Sequence, residues 1–332
     1  MATIGNTVPT LIDWVKRRDA NGNLAQIVEL LNQTNDIIDD IPWMESNDTA
    51  AHMVTQRTTL PKGTWRGPNQ GIAASKSTTA QILEAMGNLE DYSKVDVLLA
   101  NQRGDAAAYR RSEDAAFLEG MAQTVVQTLF YGNAATNPRA FTGIAPRYNS
   151  LSAENAENII DCGGVSTDNT SIYLVGWGER QVHGLFPLGQ SGGLKARNLG
   201  EDTATDGAGL EYQVYRTHFQ WQCGLAVEDW RWIVRAANID VSDLANAGKA
   251  GYSGADLIDI MISMTYLVPN MTAAKLVFYV NRRVAAALHK LARVDASGTI
   301  TVEQIGGKPI TSFLGIPVKR VDQLLETEAR VV

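Results

Sequence analysis

The chain has 332 residues, 45% of them hydrophobic and 20% charged, which is typical of a folded globular protein and excludes an intrinsically disordered one. Its 36 acidic and 29 basic residues give a formal net charge of −7, which argues against a protein that coats duplex nucleic acid through a basic face. The N-terminus lacks an export-signal pattern and the most apolar stretch is too short to span a bilayer, so we expect a soluble protein made in a cytoplasm.

The N-terminal part of the chain is predicted to consist of an arm followed by a hairpin. Residues 1–50 are predicted to be a helical arm, and residues 51–95 a hairpin whose first strand spans 52–60. A loop rich in glycine and proline follows at 61–71, while the pattern over 73–94 leaves the type of structure open. The hairpin has too few apolar residues for a core of its own, and a lone hairpin is marginal in water. We expect it to be stabilised by packing on something else, such as another subunit.

The clearest helical pattern lies in residues 104–132, where apolar residues recur every three or four positions. Gly132 is well placed to end this helix. At 1.5 Å per residue the helix would be roughly 40 Å long, which suits a spine. Its apolar stripe consists of Phe117, Leu118, Met121, Ala122, Val125, Val126, Leu129 and Phe130.

Residues 140–245 are predicted to be rich in β-structure. A short buried strand is predicted at 171–175, and a glycine-rich loop at about 186–210. Apolar and polar residues then alternate over 213–223 and again over 230–236, as they do in strands with one buried face.

Residues 253–332 return to mixed structure. A helix is predicted at 255–268, followed by a buried strand at 275–280 and by a second helix that Asn281 caps. Two further strands are predicted at 299–302 and 309–313. The predicted fold class of the whole chain is therefore α+β.

One alternative function is a serine hydrolase or protease. The residues around His52 match the histidine box of chymotrypsin-like proteases, those around Ser191 resemble their nucleophile loop, and Asp96 lies between them in chain order. Ser191 would be the nucleophile, His52 the base and Asp96 the residue that orients it. That protease fold is all-β, whereas the long predicted helix lies between His52 and Ser191. The triad is therefore the less favoured interpretation.

No pattern in the sequence indicates a metal ion or a cofactor. The histidines show no metal-ligand spacing, and nucleotide-binding glycine motifs are absent. Residues 19–23 imitate the start of a calcium loop, but Leu24 occupies the position that requires glycine. Cys162 and Cys223 form no CxxC pair, which excludes a zinc ribbon and a thioredoxin-like motif. One disulfide between them is conceivable, but two free buried thiols are favoured because the sequence shows no export signal. The four histidines are His52, His183, His218 and His289.

Charged residues offer two further readings. Arg216, Arg231 and Arg235 have the spacing to contact phosphates, but ion pairs on a solvated sheet are the favoured interpretation in an acidic chain. The acidic residues within 36–40 are likewise predicted to be an acidic helix end rather than a divalent-cation site.

Several short motifs follow one another along the chain. They are Asp40-Ile-Pro-Trp43, Thr59-Leu-Pro-Lys-Gly-Thr-Trp-Arg66, Asn69-Gln-Gly71, Glu90-Asp-Tyr-Ser-Lys-Val-Asp96, Phe130-Tyr-Gly-Asn133, Phe141-Thr-Gly-Ile-Ala-Pro-Arg147, Phe278-Tyr-Val-Asn-Arg-Arg283 and Phe313-Leu-Gly-Ile-Pro-Val318. Their order and spacing resemble the major capsid proteins of short-tailed and related tailed bacteriophages. The resemblance covers residues 35–150 well and continues more loosely beyond them.

This resemblance implies the Hong Kong 97-type capsid fold. In that fold, long peripheral strands usually follow the axial domain, whereas the candidates at 211–240 precede it here. Either the topology is rearranged or the domains are divided differently. The implied parts are an N-terminal arm (1–50), an extended E-loop (51–95), a peripheral domain with a spine helix at 104–132 and long β-strands (96–250), and an axial domain (251–332).

The resemblance also implies a structural protein rather than an enzyme. Such a chain self-assembles into pentamers and hexamers of an icosahedral virion shell around double-stranded DNA, in the cytoplasm of a bacterial host. Implied partners are copies of itself, a scaffolding protein, a portal, a decoration protein and packaged DNA contacted without sequence specificity, and no membrane or cofactor. A lysine cross-link through the E-loop is not expected, because no matching motif is present. The implied contact residues between subunits are Trp14, Trp43, Lys62, Trp65, Arg66 and Lys76.

Overall fold

A computed structural model of the chain describes residues 33, 35–103, 105–247, 254–292, 300–305 and 308–332. Most of the predicted helical arm, including Trp14, lies outside the described residues. The part from Asn35 to residue 50 is described and contains turns and a short strand, so the helical prediction is wrong there. The strands are β1 (Trp43–Glu45), β2 (Ala51–Thr59), β3 (Thr78–Asp96), β4 (Ile159–Asp161), β5 (Asn169–Trp177), β6 (Val182–Phe186), β7 (Lys195–Thr205), β8 (Glu211–Val227), β9 (Ile233–Asp240), β10 (Lys275–Val280), β11 (Ile300–Ile305), β12 (Lys308–Phe313) and β13 (Ile316–Arg320). The α-helices are α1 (Val97–Ala100), α2 (Ala106–Tyr131), α3 (Leu257–Leu267) and α4 (Arg282–Ala292).

The chain divides into two compact units, each assembled from separate segments. The smaller unit contains residues 88–126 and 193–222, besides residues at the N-terminus. The larger unit contains residues 34–87, 127–192 and 223–332. The boundaries fall inside β3, α2 and β8, so each of these long elements contributes residues to both units.

The larger unit is built around β5, in which all nine residues are buried. β9 pairs with β5 in the antiparallel sense, with Val175 opposite Ile233, and β10 also pairs antiparallel with it, with Val277 opposite Val175. β13 continues the sheet parallel to β10, and β12 and β11 follow in antiparallel order. β10 and residues 172–177 of β5 are almost continuously apolar, because strand segments buried on both faces need apolar residues at every position.

The smaller unit has a core where β3 leads into α1. Val95, Leu99 and Tyr109 are buried together there. Further along α2 and β8, the rings of Phe117 and Phe219 stack with their centroids 6.0 Å apart. Phe117 of the predicted apolar stripe therefore packs on a residue of the half-buried strand β8, whereas Leu118 of the same stripe is exposed.

Several predicted elements are confirmed. The helix predicted at 104–132 is α2, the strand predicted at 275–280 is β10, and the helix predicted at 255–268 is α3. Asn281 caps α4, since its Oδ1 accepts a hydrogen bond from the backbone N–H of Val284 at 2.8 Å.

Two predictions about the β-rich region are wrong. The glycine-rich loop expected at about 186–210 contains β7, an exposed and mostly polar strand that pairs with β8. It lacks apolar alternation because neither face is deeply buried, and the register shift at Gly200, with φ +80°, interrupts it. The strand expected at 230–236 begins only at Ile233, because Trp230–Trp232 form a 3₁₀ turn whose N-cap is Asp229.

Strands from both sides of residue 250 share one sheet in the larger unit. β5 and β9 precede this position and β10 and β13 follow it, yet β5 pairs directly with β9 and β10. The four-part division into arm, E-loop, peripheral and axial domains therefore stays a prediction alongside the two-unit division. Among the described residues, no helix is both long and apolar enough to cross a membrane.

The expectation that Arg235 lies on a solvated sheet is wrong, although it does form an ion pair. Arg235 is buried in β9, and its Nη2 lies 2.7 Å from Oε2 of Glu328, which is also buried. Ser171 and Tyr131 donate further hydrogen bonds to the same carboxylate. By contrast, Arg231 pairs with Asp229 close to solvent.

Candidate functional site

β2 and β3 of the larger unit form an extended hairpin. Their antiparallel register runs from Ala51 opposite Ala85 to Thr59 opposite Thr78, with a bulge between Arg57 and Thr59. We call residues 57–78 the tip of this hairpin, and the paired residues nearer to Ala51 and Ala85 its root. The strand predicted at 52–60 is therefore confirmed, and the segment whose type the sequence left open contributes β3.

The tip exposes large apolar side chains to solvent. Trp65 is fully exposed, at 101% of its reference area, and Leu60 and Ile72 are exposed at 72% and 58%. Burying a tryptophan removes 150–250 Å² from water, which is worth roughly 4–6 kcal/mol before the costs of ordering. A surface with this composition gains stability when a partner covers it.

The tip is also strongly basic. Arg57, Lys62, Arg66 and Lys76 are all exposed, and no acidic residue occurs from 57 to 83. Four positive charges stand here in a chain with a net charge of −7. The tip is therefore attracted to acidic surfaces, which the remainder of an identical chain provides on average.

Local hydrogen bonds close the tip on itself. Thr59 and Thr78 join their hydroxyl groups at 2.6 Å where the two strands part. Asn69 adopts a positive φ of 64° within a turn, and the side chain of Gln70 accepts a hydrogen bond from the backbone of Gly67 at 3.3 Å. These bonds shape the loop without burying its apolar residues.

The root, in contrast, is held by a buried ion pair. Both guanidinium nitrogens of Arg147 donate to the Glu84 carboxylate at 2.6 Å, a bidentate arrangement. Arg147 also donates to the backbone carbonyl groups of Thr142 and Gly143. Because Glu84 is buried and fully bonded, β3 is fixed at this position.

The other strand of the root is fixed next to the end of β8. The Gln56 side chain donates a hydrogen bond to the backbone carbonyl of Glu228 at 2.5 Å. Nε2 of His52 lies 3.6 Å from Oε1 of Glu228. Val54, between His52 and Gln56 in β2, is buried. The hairpin therefore has a root that is fixed by hydrogen bonds and a tip that is exposed to solvent.

The structure brings four of the six predicted contact residues together in the tip. Lys62, Trp65, Arg66 and Lys76 are all exposed there. Trp43 instead lies half-buried in β1 and packs on its own chain, since a Cβ at Gly184 would meet its ring at 2.5 Å. The role of these residues in subunit contacts stays a prediction.

The geometry of the alternative triad does not match its predicted roles. The carboxylate beside His52 is that of Glu228, whereas Asp96 accepts hydrogen bonds from the backbone of Leu98 and Leu99 and so caps α1. Ser191 is exposed in the loop after β6. Asp96 therefore has a capping role in place of the orienting role that the triad required.

Sequence reasoning missed the residues that hold the root. Glu84 and Arg147 are 63 positions apart, and no local pattern marks them as partners. It also missed Leu60 and Ile72 as exposed apolar residues of the tip. The available signal was that both flank the glycine- and proline-rich loop, where a chain segment has no core to bury them.

Comparisons with known proteins gave two extensive matches. A family model described as "Major capsid protein GP7" matches residues 19–332. A chain in a near-atomic-resolution cryo-EM structure of bacteriophage Epsilon15 is 38% identical, with a TM-score of 0.79, over 100% of this chain and 99% of that chain. A comparison with curated proteins found no match.

More distant likenesses were found as well. The bacteriophage JBD30 capsid is 8% identical with a TM-score of 0.49, over 89% of this chain and 92% of that one. The SrpI encapsulin complex of Synechococcus elongatus is 12% identical with a TM-score of 0.43, over 71% and 92% of the two chains.

The family model and the Epsilon15 match confirm the α+β capsid fold and the capsid function predicted from the motifs. They give no support to a protease. Because the model matches nearly the whole sequence, and the Epsilon15 chain agrees in sequence and fold over its length, this chain belongs to the GP7 family of major capsid proteins.

Proposed function

We propose that this major capsid protein joins its copies through the hairpin tip, which covers a neighbouring subunit in the shell of a tailed bacteriophage. The observation that carries the proposal is the exposure of Trp65 together with the basic residues around it. The fixed root also supports the proposal, because a root held by hydrogen bonds gives the tip a defined position.

Identical subunits joined in this way form rings. A contact between two different patches of the same chain is heterologous, so it closes into a ring when the rotation permits. We propose pentamers and hexamers that close into an icosahedral shell around double-stranded DNA. Because each subunit makes several contacts, each contact can be weak, and wrongly placed subunits can dissociate.

Other parts of the proposal concern partners and place. We propose assembly in the bacterial cytoplasm with a scaffolding protein, a portal and a decoration protein. The net charge of −7 supports contact with packaged DNA that is weak and independent of sequence. We also propose that the chain has no enzymatic activity, since Asp96 is engaged as a helix cap.

Replacing Trp65 by serine tests the central contact. Burial of Trp65 is worth several kcal/mol, and about 1.4 kcal/mol is tenfold in an equilibrium constant, so Trp65→Ser should raise the critical concentration for assembly at least tenfold. Light scattering and electron microscopy would measure this. Trp65→Phe is the matched control, because it retains an apolar ring and should assemble near the wild-type concentration.

Trp65 is exposed in the isolated chain, so neither variant should change the circular dichroism or unfolding midpoint of the subunit. Wild-type shells from Trp65→Ser at the wild-type critical concentration would contradict the proposed contact.

A further inference from the structure

Two histidines and a glutamate from separate elements converge beside the hairpin root. His52 lies in β2, His183 in β6, and Glu228 directly after β8. One ligand atom from each side chain lies within 4.8 Å of the other two. The spacing of these residues along the sequence, 52, 183 and 228, matches no metal motif, which is why no metal site was predicted.

The sheet register brings two of these residues together. β6 and β8 are antiparallel, with Val182 opposite Val227, so His183 and Glu228 meet at the same end of the pair. The backbone N–H of Glu228 donates to the carbonyl of Gln181 at 2.9 Å and fixes this end. His52 is brought in by β2, and its ring centroid lies 5.7 Å from that of His183.

His183 presents a buried nitrogen that nothing satisfies. The residue is 1% exposed, and its Nδ1 has no hydrogen-bond partner among the described residues. A buried polar atom without a hydrogen-bond partner is costly, so a partner for Nδ1 would stabilise the fold.

The spacing of the group agrees with a tetrahedral ion. Zinc–nitrogen distances of 2.0–2.1 Å place neighbouring ligand atoms about 3.4 Å apart. Nε2 of His52 and Oε1 of Glu228 already lie 3.6 Å apart. The other pairs of ligand atoms lie within 4.8 Å, and rotation of the partly exposed His52 and Glu228 side chains can bring them closer. Imidazole and carboxylate ligands favour zinc and similar transition metals, whereas calcium and magnesium prefer oxygen ligands throughout.

We propose that His52, His183 and Glu228 bind one divalent transition-metal ion, such as Zn²⁺, which joins the hairpin root to the end of β6 and β8. Three protein ligands leave a fourth position for water. Ligation through Nε2 of His52 places its proton on Nδ1, so binding would break the hydrogen bond that Nδ1 now accepts from the backbone N–H of Asn47 at 3.3 Å. The bound ion would stabilise the hairpin root in the unassembled subunit as well as in the shell.

Metal titration of the untagged, metal-free subunit tests the proposal. Zn²⁺ should bind with a stoichiometry of one, measured by competition with a chromophoric chelator, and should raise the midpoint of thermal unfolding. Co²⁺ in its place should give the visible absorption of a four- or five-coordinate site with nitrogen and oxygen ligands.

Two partly exposed ligands provide variants that should fold. His52→Ala and Glu228→Gln should each weaken Zn²⁺ binding more than the roughly 10- to 100-fold that follows loss of an outer-shell partner, and should abolish the thermal shift. The matched control is His218→Ala, because His218 also pairs with a carboxylate, Glu90 at 3.2 Å, but the described part of the chain places no third ligand beside them. It should bind Zn²⁺ as the wild type does.

The outcomes separate clearly. Binding at one equivalent that is lost in His52→Ala and Glu228→Gln and kept in His218→Ala supports the site. No stoichiometric binding by the wild type, or equal loss in His218→Ala, would overturn it.

Discussion

Arg235 and Glu328 form an ion pair in which both side chains are buried. Their side chains are only 5% and 4% exposed. Arg235 further donates to the backbone carbonyl of Tyr148 at 2.7 Å, so its charge is bonded in several directions. A buried charge of this kind strongly destabilises the fold when its partner is removed.

Removing the acidic partner should destabilise the subunit. Glu328→Gln leaves the Arg235 guanidinium buried without its counter-charge, for which we expect a loss of about 3–5 kcal/mol in the free energy of unfolding. Arg231→Gln is the control, because Arg231 is 57% exposed and its pair with Asp229 should contribute about 0–1 kcal/mol. Urea unfolding of the unassembled subunit measures both, and equal losses would contradict the assigned role.

The sequence predicts that a residue such as Arg235 forms an ion pair better than it predicts which residue is the partner. It indicated that Arg235 forms an ion pair, and that is confirmed. It placed that pair on a solvated sheet, because alternation over 230–236 appeared to give Arg235 a polar face. The partner lies 93 positions away, and only the folded sheet brings it there.

The segment from Asn35 to Ser46 is attached to the larger unit through Asp40. This residue is buried, and its carboxylate accepts hydrogen bonds from Lys275 at 2.7 Å, Lys319 at 2.8 Å and Tyr279 at 3.0 Å. Lys275 and Tyr279 belong to β10 and Lys319 to β13, so one carboxylate ties the segment to two neighbouring strands. The acidic helix end expected at 36–40 is a turn here, with Asp40 facing inward.

This attachment should weaken in acid. Burial would raise the pKa of Asp40, but the hydrogen bonds from Lys275 and Lys319 outweigh it, so the pKa of Asp40 lies below its usual value. A lowered pKa means that ionised Asp40 stabilises the fold above the unfolded value of about 3.9, and that this stability is lost as the pH falls through the folded value.

Asp40→Asn should therefore lower the free energy of unfolding by about 1–3 kcal/mol at pH 7, with a smaller difference from wild type below pH 4. Urea unfolding across pH 7 to 3 measures this. Asp39→Asn is the control, because Asp39 is exposed in the same turn. A difference that does not shrink in acid would contradict the role of the Asp40 charge.

Long elements with strong periodicity were predicted well. α2 follows its apolar stripe, and the alternation over 213–223 lies within β8. β7 was missed because an exposed edge strand needs no apolar face, and its glycines resemble those of a loop. The half of the hairpin in β3 was left open for the same reason: most of its residues are exposed or only partly buried.

The chain divides into two compact units, and the hairpin of the larger unit has an exposed tip. Burial within one chain explains β5 and its neighbours, but it gives no reason for an exposed tryptophan among four basic residues. The proposed contact with a second copy of the chain would supply that reason, since the copy carries a net negative charge and would cover the tryptophan. Family membership agrees with this reading, because a major capsid protein works as many copies.

Assembly could be anticipated from the sequence only through the order of its motifs. Composition excluded whole classes of protein, and the small apolar content of 51–95 indicated that the hairpin packs on something else. The clustering of His52, His183 and Glu228 was out of reach, because it depends on the register of β6 with β8 and on the path of β2.

The chain is proposed to close into shells with its own copies. Negative-stain electron microscopy of the purified, untagged protein over a range of concentrations is the decisive measurement. We predict ring-shaped capsomers at low concentration and closed spheres or curved sheets of such rings at high concentration. Straight rods, or other open assemblies without rings, would show that the copies do not join into a closed shell.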